Sequence, residues 1–128
     1  KSNTPIFTKF NVEDQLAKLY QPIVQLPSGG YIVINPTEAL ISIDVNSGRA
    51  TSERNIEEMA LKNNLEAARE IARQVKLRDL SGLLVLDFID MAEVRNRKIV
   101  ERTLREFLSK EKATTVFFRS KFQYMSAL

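Results

Sequence analysis

Three polar side chains interrupt strand-like runs of the sequence and have the chemistry to hold a metal ion. Asp44 and Asn46 alternate with Ile43 and Val45 in the run ISIDVN, so both polar side chains belong on one face of a strand. Asp87 ends the apolar run LLVLD. Mg²⁺ is typically held by one or two carboxylates and keeps several of its waters. The three residues therefore predict a magnesium site with room for a phosphate oxygen and an attacking water.

The same side chains also have a purely structural interpretation, which the sequence alone leaves open. Asp44 and Asn46 could simply shape the turn that begins at Asn46, and Asp87 could cap a loop. Asp90 is followed three residues later by Glu93, a spacing typical of a helix N-cap, so Asp90 is left out of the predicted site.

The composition excludes several other classes of site. The 128 residues include no cysteine and no histidine, which removes thiolate zinc sites, cysteine nucleophiles and histidine general bases from this segment. The net charge is +3, from 19 basic and 16 acidic side chains, a balance that permits nucleic acid as a partner without requiring it. Chemistry must therefore depend on carboxylates, amides, hydroxyls, lysine or arginine.

Hydrophobic alternation predicts the strands that would position the site. Two β-rich runs, 23–26 and 31–34, flank the sequence PSGG, which indicates a hairpin rather than a phosphate-binding loop. A third strand is predicted over 39–46, and a strand buried on both faces over 83–88. Because open α/β sheets assemble binding sites at the carboxyl ends of their strands, the two aspartates are expected to meet there.

Helical spacing of apolar residues predicts three helices. The first covers 12–20, and the second runs from a cap at Asn55 to about Leu77. The third follows Asp90, and a last strand is predicted over 114–118. The order of elements is α, three strands, α, β, α, β, which predicts an α/β fold with a layered sheet and packed helices.

Several basic residues are candidates for contacts with phosphate. Arg49 closely follows Asp44 and Asn46, and Lys112 follows a basic segment of the third helix. The other basic residues of that segment are Arg95, Arg97, Lys98, Arg102, Arg105 and Lys110. They could track an RNA backbone, although the interleaved glutamates are equally typical of a solvated helix face.

Three stretches resemble the ribonuclease E/G family of bacterial RNA-processing and RNA-decay endonucleases. They are LPSGGYIVI from Leu26, TEALISIDVNSGRAT from Thr37 and NNLEAAREIARQVKLRDLSGLLVLDFIDM from Asn63, which together cover most of residues 22–112. The resemblance implies that 22–128 is the deoxyribonuclease-I-like subdomain of the catalytic half. Residues 1–21 would end the preceding ribonuclease-H-like subdomain, so that the chain is a segment of a longer protein.

The resemblance also implies roles for individual residues. Asp44 and Asp87 correspond to the family's two metal-binding aspartates, and Asn46 corresponds to the asparagine that helps orient the site. Towards its end the sequence departs from the pattern: Thr114 stands where the family commonly has an arginine, and the tail FFRSKFQYMSAL matches poorly.

The activity implied is magnesium-dependent cleavage of single-stranded RNA, which leaves a 5′-phosphate and a 3′-hydroxyl. The implied partners are RNA, further copies of the full-length protein and RNA-decay proteins. No stretch is apolar enough to cross a bilayer, so a cytoplasmic location is expected, with any membrane association carried by parts outside this sequence. The family's zinc-linking cysteines, S1 RNA-binding domain and 5′-monophosphate pocket fall outside it too. The alternative is a non-catalytic module that binds RNA or a partner chain.

Overall fold

Six strands form one sheet, and their order in the sheet follows their order in the chain. The structure is a computed structural model that describes residues 21–48, 56–109, 114–120 and 123–127. The strands are β1 Ile23–Gln25, β2 Tyr31–Pro36, β3 Ile41–Asn46, β4 Gly82–Asp87, β5 Thr114–Ser120 and β6 Gln123–Ala127. The helices are α1 Ile56–Leu77 and α2 Val94–Leu108.

The connections explain why both helices pack on the same face of this sheet. β1, β2 and β3 pair antiparallel, β3, β4 and β5 pair parallel, and β6 returns antiparallel to β5. α1 joins β3 to β4 and α2 joins β4 to β5, so the chain makes two successive crossovers in one direction. Right-handed crossovers of this kind leave their helices on one side. The predicted α/β fold, a sheet with packed helices, is confirmed.

The sheet face towards the helices is apolar and forms the core. Its most deeply buried strand residues are Ile32, Ile34, Ile43, Leu84 and Leu86. α1 adds Ala67, Ala68 and Ile71 to the same cluster, and α2 adds Leu104. The small alanine side chains let α1 lie close to the strands, which accounts for the complete burial of the isoleucine and leucine side chains opposite them.

The other face of the sheet mixes polar and apolar side chains. Tyr31, Val33 and Ser42 are half-buried there, and Val85 is buried. In the part of the chain that the structure describes, no helix covers this face. It therefore tolerates polar groups that the helix-covered face would exclude.

The predicted strands are confirmed, with ends shifted by one to two residues. Leu84, Val85 and Leu86 are buried as expected for β4, but Leu83 is only half-buried, so burial on both faces was wrong at that residue. The end of α1 at Leu77 matches its prediction, whereas the Asn55 cap lies outside the described residues, as does the helix expected over 12–20.

β6 was not predicted. Its side chains show no clear alternation in the sequence, and its pairing with β5 is irregular, with a register shift between Phe118 and Ser120. Strands of this kind are defined by their neighbour rather than by their own sequence.

The predicted Asp90 cap is wrong. α2 begins at Val94, and the N-cap residue is Glu93, whose side chain makes no capping hydrogen bond. The carboxylate that binds the backbone amides before α2 belongs instead to Glu57, in the first turn of α1. It accepts hydrogen bonds from the amides of Ala92, at 2.9 Å, and Glu93, at 3.3 Å. A residue distant in the sequence thus performs the role that the local spacing assigned to Asp90.

The structure also bears on membrane association. Within the four described segments, no helix is both long enough and apolar enough to span a bilayer.

Candidate metal centre

Asp44 and Asp87 lie side by side at the carboxyl ends of two neighbouring parallel strands. The register of β3 and β4 pairs these two residues directly. Paired strands are about 4.8 Å apart, and residues in register project from the same face of a sheet. The preceding residues, Ile43 and Leu86, are fully buried towards the helices, whereas both aspartates are half-buried. The two carboxylates therefore emerge together on the face that the helices leave uncovered.

Asn46 continues the same face one step further along β3. It is half-buried and pairs with Tyr31 of β2. Its side chain lies about 7 Å along the strand from that of Asp44. The structure thus places the amide next to Asp44 and further from Asp87, beyond the end of β4.

The end of β3 is fixed by a close approach of the β1–β2 turn. Gly30 is buried in this turn, and a Cβ atom there would overlap the side-chain oxygen of Asn63 and lie 2.6 Å from the carbonyl oxygen of Asn46. A Cβ atom on Gly48 would lie 3.1 Å from the carbonyl oxygen of Ser28. At Gly30 a side chain would force the turn away from Asn46, and at Gly48 it would make the contact tighter than usual, so the two glycines favour the close approach of the turn to the Asn46 backbone.

Polar side chains of α1 hold the turn in place. The Ser28 hydroxyl donates to Glu66 Oε1 at 2.7 Å and contacts Asn63 Oδ1 at 3.1 Å, and the Ser28 backbone amide also donates to Glu66. Asn63 is fully buried and donates through Nδ2 to the Met59 carbonyl oxygen at 2.8 Å. The PSGG segment is therefore a hairpin turn tied to a helix, as its sequence predicts.

A second buried amide of α1 holds the segment that follows Asp87. Asn64 is fully buried; its Nδ2 donates to the Ile89 carbonyl oxygen at 2.9 Å, and its Oδ1 accepts from the Ile89 amide at 3.0 Å. Both asparagines looked like polar helix positions in the sequence. A signal was available for Asn64, because the residues three and four positions away on the same helix face, 60, 61, 67 and 68, are all apolar.

The carboxylate of Glu57, in the first turn of α1, accepts hydrogen bonds that link α1 to the start of α2. Partial burial raises the pKa of Glu57, but the hydrogen bonds from Asn96, Ala92 and Glu93, together with the charge of Arg97, lower it by more, so the net pKa lies below the ordinary value of a glutamate. The Asn96 side chain donates at 2.8 Å. The carboxylate is therefore held in its ionised form at neutral pH.

The donor set of the paired strands fits a magnesium ion. Two carboxylates at one position of a sheet repel each other, and a cation bound between them relieves this repulsion. Mg²⁺ needs no more than one or two protein carboxylates. In the described residues no group of three or more acidic, cysteine or histidine side chains is arranged to hold a metal. Asp44 and Asp87, with the Asn46 amide, are a smaller donor set, named here for their register on β3 and β4.

The predicted phosphate contacts Arg49 and Lys112 lie outside the described residues. A further basic residue was not singled out in the sequence: Arg119 stands in register with Asp87 on β5, so Asp44, Asp87 and Arg119 occupy one row across three strands. Thr114 begins β5 at the opposite end of β4, in register with Gly82. Only the alignment of the strands could have revealed this placement of Arg119.

Four exposed basic side chains form one strip along α2. They are Arg95, Lys98, Arg102 and Arg105. Spacings of three, four and three residues keep them on one side of a helix, over about 15 Å. Val100 and Leu104 are buried on the other side, and Glu101 and Glu106 border the strip. Within the described residues none of the four basic side chains has an ion pair.

Comparisons with known proteins agree on one family. The sequence model of the "Ribonuclease E/G family" matches residues 1–125. Ribonuclease E of Escherichia coli K12 is 54% identical over 109 residues, which are 85% of this chain and 10% of that protein. Ribonuclease E of Haemophilus influenzae is 50% identical over 113 residues, 88% of this chain and 12% of that protein. Ribonuclease G of Escherichia coli K12 is 40% identical over 111 residues, 87% of this chain and 23% of that protein. The chain thus spans between a tenth and a quarter of the length of these relatives.

Proposed function

The chain belongs to the ribonuclease E/G family, and we propose that it carries the metal centre of an endoribonuclease that cleaves single-stranded RNA with Mg²⁺. The observation that supports this proposal most directly is the register of β3 and β4, which sets Asp44 beside Asp87 at the carboxyl ends of parallel strands. Open α/β sheets assemble their binding sites at this edge.

The proposed roles follow from the position of each side chain. Asp44 and Asp87 hold the ion from two sides, and Asn46 orients Asp44 or the attacking water through its amide. Bound Mg²⁺ supplies a polarised phosphate oxygen and a more acidic water. In the described residues no helix covers the sheet face around the pair, which supports binding of an extended RNA strand there. Hydrolysis leaves a 5′-phosphate and a 3′-hydroxyl.

The wider context of this activity is part of the proposal. Residues 22–128 would form the deoxyribonuclease-I-like subdomain of a larger catalytic region, and 1–21 the end of a ribonuclease-H-like one. The full protein would act in rRNA processing and mRNA decay in the cytoplasm, as a homo-oligomer and with RNA-decay partners. Arg49 and Lys112 would contact RNA phosphates.

A chimera provides the test, because the relatives are much longer than this chain. The chain replaces the matching 109-residue stretch of Escherichia coli ribonuclease E, with which it is 54% identical. Cleavage of a short unstructured RNA is then measured against Mg²⁺ concentration. We expect the chimera to cleave, and Asp44→Asn and Asp87→Asn each to abolish cleavage.

Asp90→Asn is the matched control for these variants. Asp90 is an exposed carboxylate three residues after Asp87, and it is not placed in the site. This variant should cleave like the parent chimera. Mg²⁺-dependent cleavage that survives Asp44→Asn and Asp87→Asn would overturn the proposed function.

A second candidate function is RNA binding without cleavage, and the basic strip of α2 favours it. Each phosphate neutralised by Lys or Arg on a single strand contributes about −0.7 to the slope of log affinity against log salt concentration. Replacing Arg102 and Arg105 by glutamine should reduce the slope, whereas Lys62→Gln and Lys76→Gln, on exposed positions of α1, should not. Binding that depends on the strip in a chimera that does not cleave would favour this candidate.

A further inference from the structure

We propose that Asn64 is a positioning residue for the metal-binding aspartates. This inference rests on the proposed function, and it assigns to a buried residue of α1 the task of fixing where the Asp87 carboxylate stands. Asn64 itself touches neither aspartate in any contact described here, so its effect must pass through the backbone that follows β4.

The need for such a residue arises because β4 ends at Asp87. Its pairing with both β3 and β5 also ends there, so no strand ladder holds the backbone beyond this residue. Phe88 and Ile89 lead away from the sheet towards α2. The position of a carboxylate at the last paired residue of a strand depends in part on how the residues after it are held.

The Asn64 side chain makes the hydrogen bonds that a neighbouring strand would make to the residues after β4. A primary amide offers one donor and one acceptor side by side, as a peptide group of a neighbouring strand does. The Asn64 side chain uses both on one residue, at 2.9 Å to the Ile89 carbonyl oxygen and 3.0 Å from the Ile89 amide. The strand-like pattern of hydrogen bonds is thereby extended two residues past Asp87.

The burial of Asn64 makes its two hydrogen bonds to Ile89 difficult to replace. Its side chain is 0% exposed, so shortening it leaves the Ile89 backbone groups without their partner inside the protein, which carries the cost of unsatisfied buried polar groups. Phe88, between Asp87 and Ile89, is stacked on Phe118 of β5, with ring centroids 5.8 Å apart. Phe88 and Ile89 are therefore each anchored, one through its ring and the other through its backbone.

α1 also supplies a matched control for Asn64. Gln74 is likewise a buried amide, 4% exposed, and its side chain is hydrogen-bonded at 2.7 Å to both Glu70 and Arg78. It lies near the opposite end of α1, away from the loop after β4. Gln74→Ser and Asn64→Ser each remove a buried amide from the same helix, but only Asn64→Ser releases Ile89.

The test measures binding of Mn²⁺ alone to the 128-residue chain, by electron paramagnetic resonance, in the absence of RNA. Removing a group bonded directly to a metal ligand typically weakens metal affinity by about 10–100-fold. Because Asn64 acts on Asp87 through the backbone of two further residues, the lower end of this range, about 10-fold, is expected. We expect Asn64→Ser to weaken Mn²⁺ binding by this factor and to accelerate hydrogen exchange of the Ile89 amide. Gln74→Ser should change neither, although both variants lower the melting temperature.

The conservative variant Asn64→Gln keeps the experiment decisive if Asn64→Ser does not fold. It retains the donor and the acceptor with one more methylene of reach, and we expect its Mn²⁺ affinity to fall between those of wild type and Asp87→Asn. A purely structural role predicts instead that every folded Asn64 variant binds Mn²⁺ as tightly as Gln74→Ser. That result would overturn the inference.

Asp87→Asn, included in the same titration, separates this inference from the proposed function. If wild-type Mn²⁺ binding is absent, or is unchanged by Asp87→Asn, the metal centre itself is refuted. If Asp87→Asn abolishes binding while folded Asn64 variants match Gln74→Ser, only the positioning role of Asn64 is refuted.

Discussion

The two faces of β3 and β4 have opposite tasks although they are built from alternate residues of the same strands. Towards the helices, Ile43 and Leu86 are completely buried in the core. One residue later in each strand, Asp44 and Asp87 stand half-buried on the other face. The helix-covered face supplies the stability of the fold, and the opposite face can therefore carry charge.

The difference shows why the candidate site occupies the face that it does. An ionised carboxylate in an apolar core loses its hydration without compensation, and this cost exceeds the stability of most domains. On the uncovered face the same group keeps access to water and to an arriving cation. Strand alternation thus places a charged pair within one residue of the best-packed part of the core, and changes to the two faces should have separable effects.

The largest effect on stability should come from Ile43→Ala, because Ile43 is 0% exposed. Its truncation should lower the free energy of unfolding by about 2–5 kcal/mol. Asp44→Asn, the next residue, should change it by no more than about 0.5 kcal/mol. Urea denaturation of the two variants measures both values. Equal losses would contradict the division of labour between the two faces.

A smaller loss of stability is expected from a substitution in the β1–β2 turn, where the turn contacts the end of β3. Gly30→Ala introduces a methyl group against Asn63 and the Asn46 carbonyl oxygen, and overpacking of this kind costs about 1–3 kcal/mol. The same denaturation experiment measures it. Ser47→Ala, at an exposed neighbouring position, is the control and should stay close to wild type. If Gly30→Ala were also neutral, the turn would not constrain the end of β3.

Glu57→Gln tests a pH-dependent contact between α1 and α2, which lies outside the two faces of the sheet. Because the pKa of Glu57 is lowered in the folded state, its stabilising contribution is present above the ordinary glutamate pKa and is lost as the pH falls through the folded-state pKa. A negative charge at a helix N-terminus contributes about 0.3–1 kcal/mol. The variant should therefore be less stable than wild type at neutral pH by about this amount.

Urea denaturation at neutral and acidic pH measures the Glu57 effect. The difference between wild type and Glu57→Gln should shrink as the pH falls below the ordinary glutamate pKa. Glu58→Gln, an exposed position of the same helical turn, is the control. A difference that stays constant, or grows in acid, would show that ionised Glu57 does not hold α1 to α2.

The smallest effect is expected on the solvent side of α1. Arg73 is 63% exposed and pairs with Glu70 at 2.8 Å. Exposed pairs along a helix contribute about 0.3–0.5 kcal/mol, so Arg73→Ala should lower stability by no more than that. Raising the salt concentration during denaturation should remove even this difference, since exposed charges are screened. A loss comparable to that of Ile43→Ala would refute the ranking.

Much of this architecture was predictable from sequence because it depends on local patterns. Alternation in ISIDVN assigned Ile43 and Asp44 to opposite faces, and the apolar run ending at Asp87 located the end of β4. The parallel register was not predictable, because a whole helix separates the two strands. Only the strand pairing shows that Asp44 is in register with Asp87, and Asp87 with Arg119.

The errors of prediction share a cause, which is contact between distant residues. Asp90 had the spacing of a cap, but Glu57 supplies the carboxylate from 35 positions away. Asn63 and Asn64 were not singled out in the sequence, yet both are fully buried and bonded to the loops that flank the site. Hydrogen bonds of this kind leave no periodic trace in the sequence.

The parallel pairing of β3 with β4 also has a consequence for folding kinetics. The β1–β2–β3 meander forms through short turns, whereas Asp44 can meet Asp87 only after α1 has formed and the chain has crossed back over the sheet. Contacts so distant in sequence are made late, after the cost in loop entropy has been met. An ion bound between the aspartates should thus slow unfolding while leaving the refolding rate almost unchanged.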